Sequence, residues 1–254
     1  MTSYTIANEH FAKDALRRFY AYSKKIHGST QDTDLDLIFD IALENTDRFP
    51  GITLTVEKTP KNYIDRWVKS YYDAINNPPS RRTANPKSAC TDPAIAVIVR
   101  ATQGMTEQQL TIGENNHNLF MSAENIQGNL LEEYIASKAR PYGFLWCNGN
   151  VLRAIDFCNS DGSLLLQVKN KSNTENSSSS NIREGTTIEK WYRLGTRIRG
   201  GVRYPDFKWA ALNALISEHR TEGFNLPPCD MSEREYEEFL ARVASANRGL
   251  ITDL

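Results

Sequence analysis

Cysteine is scarce in this chain and carries no pattern. Cys90, Cys147, Cys158 and Cys229 are scattered without CxxC spacing, which excludes a zinc ribbon and a disulfide framework and reads as ordinary reduced thiols. No stretch approaches the ~20 consecutive apolar residues that cross a bilayer. The start, Met1-Thr2-Ser3-Tyr4, leads straight into polar sequence, so no signal peptide is expected. A net charge of −1 shows no excess of either sign, so any binding of a polyanion rests on where the charges are placed. His10, His27, His117 and His219 lie far apart with no signature around them, which leaves no Ser/His/Asp arrangement to argue for. There is no internal repeat. What is present is 254 residues, 40% of them hydrophobic, enough to bury a core in one compact unit or two closely packed lobes.

Periodicity orders the chain. Phe11, Ala15, Phe19 and Tyr22 predict a helix over residues 8–27, and a second follows over 34–44. A third, over 60–75, has Pro60 in its first turn and Ile64, Trp67, Val68, Tyr71 and Ile75 as its apolar stripe. Tyr63, Trp67, Tyr71 and Tyr72 read as packing aromatics before base-stacking platforms. Residues 77–90, rich in Pro, Ser and Arg, read as a loop that leaves Arg81 and Arg82 on a surface turn. The β-branched run Ile95, Val97, Ile98 and Val99 favours a buried strand over 94–99, with turns at Gly104 and Gly113. A helix over 122–138 presents Ile126, Leu130, Leu131, Tyr134 and Ile135. Residues 172–183 hold too much Ser, Asn and Thr to bury apolar area and read as a loop. Residues 188–193 suit a strand or a helix start. Helices are expected over 207–219 and 232–246, the latter with Ser232 and Glu235 in capping-box spacing. The fold class is α/β: a central mixed β-sheet flanked by helices over 106–254, with a mainly helical portion over 1–105.

The chemistry gathers between Asp156 and Lys169. Period two over residues 152–157 puts Asp156 at a strand's end, and Asn159-Ser160-Asp161-Gly162 is a turn by composition. Leu164, Leu165 and Leu166 return into Gln167-Val168-Lys169, with Gln167 and Lys169 on one face. A hard divalent cation needs one or two carboxylates and further oxygens. Asp156 offers the first, with the Gln167 amide oxygen, the Val168 carbonyl and Glu132 as the rest. Lys169 would orient the attacking water or stabilise the charge of a pentavalent phosphoryl transition state. This is the outline of a metal-dependent nuclease site. Gly128 allows close approach to the helix surface, and Glu132 stands one turn beyond it. Glu124 is a second, more distant acid on nearly the same azimuth, and Glu133 falls on the other side of the stripe, where it reads as solvated.

The runs Ala123-Glu124-Asn125-Ile126-Gln127-Gly128-Asn129-Leu130-Leu131-Glu132-Glu133-Tyr134-Ile135, Ile155-Asp156-Phe157, Leu166-Gln167-Val168-Lys169-Asn170-Lys171 and Thr174-Glu175-Asn176-Ser177-Ser178-Ser179-Ser180 resemble type II restriction endonucleases of the SinI group, within the PD-(D/E)xK nuclease superfamily. The resemblance covers roughly residues 120–199. It implies a restriction-endonuclease-like core, Mg²⁺ as cofactor and cleavage of double-stranded DNA at a short palindromic, G/C-rich, GGWCC-like site. It further implies a homodimer, a cognate DNA methyltransferase in the same restriction-modification system, and a bacterial cytoplasmic setting. The superfamily carries Asp or Glu two residues before its lysine; here Gln167 stands there, which removes one charge from the metal site. Two other readings share these residues: a structure-selective junction or repair nuclease, and a noncatalytic DNA-binding protein.

The charges are placed unevenly. From Asn181 to Trp209 seven basic residues face three acidic ones, a local excess that suits phosphate contact while overall affinity stays moderate. Arg183 and Glu184 have the chemistry for guanine and cytosine edges. Lys171, Lys190, Arg193 and Arg197 suit phosphate or groove contacts, and Asn173, Asn176 and Asn181 offer amides to bases or backbone.

Overall fold

The structure is a computed structural model that describes residues 3–6, 12–28, 32–83, 92–171, 186–221 and 226–251. Its centre is a five-stranded mixed sheet in the order of the chain: β1 (Phe144–Trp146), β2 (Phe157–Asn159), β3 (Leu165–Lys171), β4 (Ile188–Arg199) and β5 (Val202–Phe207). All neighbours are antiparallel except β3 and β4, which run parallel with Gln167 opposite Lys190 and Lys169 opposite Tyr192.

Helices cover both faces. On one side, α1 (Lys13–His27), α2 (Asp34–Glu44) and α3 (Pro60–Asn76) enclose an aromatic core of Tyr20, Phe39, Phe49, Tyr63 and Trp67 that Leu145, Cys158 and Leu165 of the sheet complete. On the other, α5 (Glu107–Ala139), α6 (Trp209–Glu218) and α7 (Glu233–Ala246) pack on Phe144, Phe157, Leu166, Val168 and Trp191. Leu164, Leu165 and Leu166 are all buried for this reason: a strand covered on both faces reads as a continuous apolar run. The three N-terminal helices fall where periodicity places them, and the packing role of Tyr63, Trp67, Tyr71 and Tyr72 holds, since all four are buried.

Three expectations are corrected. Residues 94–99 are not a strand but lie inside α4 (Pro93–Gln103). Its caps decide this: Asp92 accepts from the Ala94 amide, Pro93 stands in the first turn, and Gly104 closes the helix at φ +63°. Gly113 is not a turn, because Thr106 and Gln109 form a full capping box and start α5 fifteen residues before Ser122. Residues 152–156 do not form a strand. Asn150 and Ala154 have positive φ, and the segment is an irregular loop held to the N-terminal helices by Trp67 Nε1 on the Val151 carbonyl (2.8 Å) and the Arg153 amide on the Arg48 carbonyl (2.7 Å). Gly149 permits that contact, since a Cβ there would stand 2.6 Å from the Ser70 carbonyl oxygen.

The hairpin turn over Asn159 to Gly162 forms as composition predicts, with the Gly162 amide on the Asn159 carbonyl and Gly162 at φ +70°. Residues 188–193 resolve as strand. Ser232 caps α7 through the Glu235 amide.

Candidate active site

Asp156 sits at the mouth of β2, where the sheet changes partners. Its amide donates to the Leu166 carbonyl, its carbonyl accepts from the Cys147 amide, and its Oδ2 accepts from the Val168 amide at 2.7 Å. The last bond takes the place of a backbone rung and fixes the carboxylate against β3. In a strand the amide and carbonyl of one residue face the same neighbour, so the Val168 carbonyl leaves β3 on the edge where Asp156 stands. β2 pairs with β3 as far as Phe157 opposite Leu166; the Asp156 amide bonds the carbonyl of the same Leu166, so Asp156 stands just outside the paired strand, against Leu166 and Val168. Gln167 is buried, and its Oε1 has no hydrogen-bond partner among the described residues. A buried, unsatisfied amide oxygen costs about 1–3 kcal/mol, which a cation ligand would relieve. Lys169, half-buried, follows on the same face.

Glu132 reaches this place from α5, its Oε2 accepting from Trp146 Nε1 at 3.2 Å. Burial, and then the negative charge of Asp156, push the Glu132 carboxyl up to about 8; the Trp146 hydrogen bond, Lys169 and Arg82 oppose the rise. Burial also raises Asp156 above the usual carboxylate range, against the Val168 amide and Lys169. Two desolvated acids, an orphaned amide oxygen and an adjacent strand carbonyl form a donor set that fits a hard divalent cation such as Mg²⁺. Among the described residues no group of three His, Cys, Asp or Glu side chains could hold a metal, so a cation here would need neutral oxygens to complete its shell.

The sign of the pH dependence follows. A carboxyl raised in the folded state binds its proton more tightly there than in the unfolded chain, so its contribution to stability falls as pH rises from about 4.5 towards 8. Without metal the melting temperature is expected to drop across this window, and Glu132→Gln to flatten the drop. Mg²⁺ is expected to raise the melting temperature more at pH 8 than at pH 6. Equal slopes for wild type and variant in a melting series would remove Glu132 from the site.

The other predicted residues divide. Lys171 ends β3 and pairs with Glu124 at 2.7 Å, so Glu124 serves this ion pair. Lys190 is exposed, opposite Gln167. Glu133 is not solvated: it accepts from the amide and hydroxyl of Ser80 at 2.8 and 2.5 Å. Arg193 does not face a groove. It is 4% exposed, bonds Asn170 Oδ1 at 2.8 Å, pairs with Glu233 and lies over the Phe207 and Tyr236 rings. Strand alternation sets it on the Trp191 side, where a guanidinium must have a partner. Arg197 is exposed and meets Asp206, which Lys208 shares. Asn173, Asn176, Asn181, Arg183 and Glu184 lie outside the described residues.

Two features escaped the sequence reading. Arg82 lies within electrostatic reach of Glu132, although nothing in its local sequence sets it there. The far half of β4 and β5 forms an exposed two-stranded ribbon, closed by Gly200 and Gly201 at φ +57° and +79°, with Arg197, Arg199 and Arg203 on it. Two adjacent glycines between strand-like runs are the hairpin signal that could have revealed it.

Comparison with known proteins gives the family. The chain is 42% identical over 116 residues to the type II restriction enzyme Eco47I of Escherichia coli, covering 44% of this chain and 50% of that one. It is 41% identical over 112 residues to the type II restriction enzyme SinI of Salmonella infantis, covering 42% and 49%. The chain thus spans about half the length of the curated relatives it matches. The profile described as SinI restriction endonuclease matches residues 61–225, well over half of the sequence. The chain belongs to the SinI restriction endonuclease family.

Proposed function

We propose that this protein is a Mg²⁺-dependent type II restriction endonuclease that hydrolyses phosphodiester bonds of double-stranded DNA at a short palindromic, G/C-rich, GGWCC-like site. What supports the reading is that Glu132, Asp156 and Lys169 lie within electrostatic reach of one another, that the Asp156 carboxylate is bound to the Val168 amide between Gln167 and Lys169, and that the buried Gln167 oxygen has no partner among the described residues. Asp156, Glu132, the Gln167 Oε1 and the Val168 carbonyl would hold the cation. When bound, Mg²⁺ supplies Lewis-acid charge at the scissile phosphate. The Val168 amide keeps Asp156 aimed, and Trp146 holds Glu132 in place. Lys169 donates to the attacking water or to the phosphoryl oxygens as negative charge grows on them. The enzyme would act as a homodimer with one centre per strand, in the bacterial cytoplasm, beside a cognate methyltransferase. Gln167 favours one rival, a noncatalytic DNA-binding protein, because it removes a metal-site charge. Plasmid of known sequence incubated with the protein and Mg²⁺, followed by sequencing of the ends, decides: one recurrent site supports the proposal, scattered or junction-specific ends point to a structure-selective nuclease, and retarded but unbroken DNA points to the rival.

The ribbon gives this reading its DNA element. A two-stranded ribbon fits the major groove, and Arg199 and Arg203 flank its turn. Each is expected to lose about 1–3 kcal/mol of discrimination at a G·C pair on change to alanine. Arg197→Ala is expected to weaken matched and mismatched duplexes alike and to lower the salt slope by about 1. Arg183, Glu184, Asn173, Asn176 and Asn181 are proposed to read or hold the same site, with Lys171 and Lys190 on phosphate. Binding at fixed salt to matched and single-substituted duplexes tests each role; uniform weakening by Arg203→Ala would make it a phosphate contact.

A further inference from the structure

The arm formed by α4 and the first half of α5 is at odds with a single chain in water. No residue of α4 is buried, although its sequence, Pro93-Ala94-Ile95-Ala96-Val97-Ile98-Val99-Arg100-Ala101-Thr102-Gln103, carries one charge, and that one is paired with Glu107. A helix apolar all round belongs inside a larger assembly. In α5, Leu110 is the one buried residue before Ser122. Between the two helices lies a groove of about 550 Å³ lined by Ile95, Ala96, Val99, Met105, Leu110 and Gly113.

A second pattern says what covers this arm. On α5, Ile112, Asn116, Leu119, Ala123, Ile126 and Leu130 recur at alternating steps of four and three, the spacing of a coiled-coil seam. Leu130 is buried in its own chain, whereas Ile112 and Asn116 are exposed and Leu119, Ala123 and Ile126 half-exposed. A polar residue at one seam position sets register and partner, and an identical helix brings its own Asn116 to meet it. We propose that two copies of this chain pair through the α4–α5 arm, the α5 seams facing each other and the apolar side chains of one arm filling the groove of the other.

The area suffices. Ile95, Val97, Ile98, Met105, Ile112 and Phe120 are 39% to 69% exposed. At roughly 100 Å² for each fully exposed side chain, these six leave on the order of 350 Å² of apolar surface per copy. An interface of ~800 Å² a side at ~65% apolar needs ~500 Å², and the half-exposed seam residues supply much of the difference. The near absence of unpaired charge on the arm argues against a polyanion as occupant. No described helix is long and apolar enough to cross a membrane. The proposal assigns a surface to the pairing named under the proposed function, but its observations are independent of nuclease chemistry.

The test is the mass of the full chain in solution without DNA, by sedimentation across ~1–100 µM. Twice the chain mass is expected. Ile98→Glu combined with Ile112→Glu, and separately Phe120→Lys, are expected to raise the dimer dissociation constant at least 100-fold with the circular dichroism of a folded protein retained. Asp156→Ala is expected to pair like the wild type. A wild type that stays monomeric to ~100 µM, or folded arm variants that still dimerise, overturns the proposal and leaves the arm to a different partner. A dimer that cuts no DNA supports the pairing and refutes the nuclease reading alone; a monomer that cuts does the reverse.

Discussion

Replacing Asp156 with alanine is expected to lower Mg²⁺-dependent plasmid cleavage by about 10³-fold or more, while duplex binding in Ca²⁺ or without metal stays measurable. The asymmetry comes from position. The Asp156 carboxylate accepts one backbone hydrogen bond, from Val168, and contributes no positive charge for phosphate. Its carboxyl is raised by burial, so an ionised Asp156 costs the fold energy when no cation is present. The variant is therefore expected to melt within a few degrees of the wild type, and to lose the Mg²⁺-dependent rise in melting temperature. Lys169→Ala is expected to lose cleavage as severely while keeping that rise, because an ammonium is no metal ligand. Cleavage at the wild-type rate by both variants, measured over time on supercoiled plasmid, would show that the site lies elsewhere.

The second large effect is on stability. Arg193→Ala is expected to destabilise the fold by about 3–5 kcal/mol, since removing one partner of a buried ion pair strands the other. The stranded group is Glu233, which also accepts from Trp209 Nε1. The change would further uncover the Tyr236 and Phe207 rings and free Asn170, whose amide donates to Gln127 on α5. From β4 this guanidinium meets β3, β5 and α7, and Asn170 links it to α5. For a chain of this size ~2–4 °C of melting temperature accompanies each kcal/mol, so a fall of roughly 6–20 °C should be visible by calorimetry. A direct DNA contact would behave differently, with an unchanged melting temperature and weaker binding per folded molecule. That result would return Arg193 to the DNA surface.

Glu132 and Glu133 show how far a pattern reaches. The helical spacing set the two acids on opposite sides of an apolar stripe, and this much holds. One side faces Trp146 and the sheet mouth. The other faces Ser80, in a turn of the chain more than fifty residues away, and no local rule brings that turn to α5. Residues 94–99 show a related limit: β-branched composition favours a strand, but the Asp-Pro start and the glycine stop that bracket the run make it a helix. Arg193 failed because strand alternation says which residues share a face, but not which face is inside.

By itself the sequence determined what depends on neighbours a few positions apart. It determined the three N-terminal helices, the Asn159–Gly162 turn and the Ser232 cap, because stripes, turn residues and caps act within one or two helical turns or a single hairpin. It also determined the alternation that puts Gln167 and Lys169 on one face, because strand period is a property of the backbone. The tertiary structure decided the rest. Which strand edge Asp156 meets, that the Gln167 oxygen is left without a partner, that Arg193 is enclosed while Arg199 and Arg203 stand free, and that α4 is left uncovered all depend on which surfaces pack together. Packing brings together residues far apart in the chain, and burial then decides whether the same charge is a buried ion pair, a metal-site acid or an open contact for DNA.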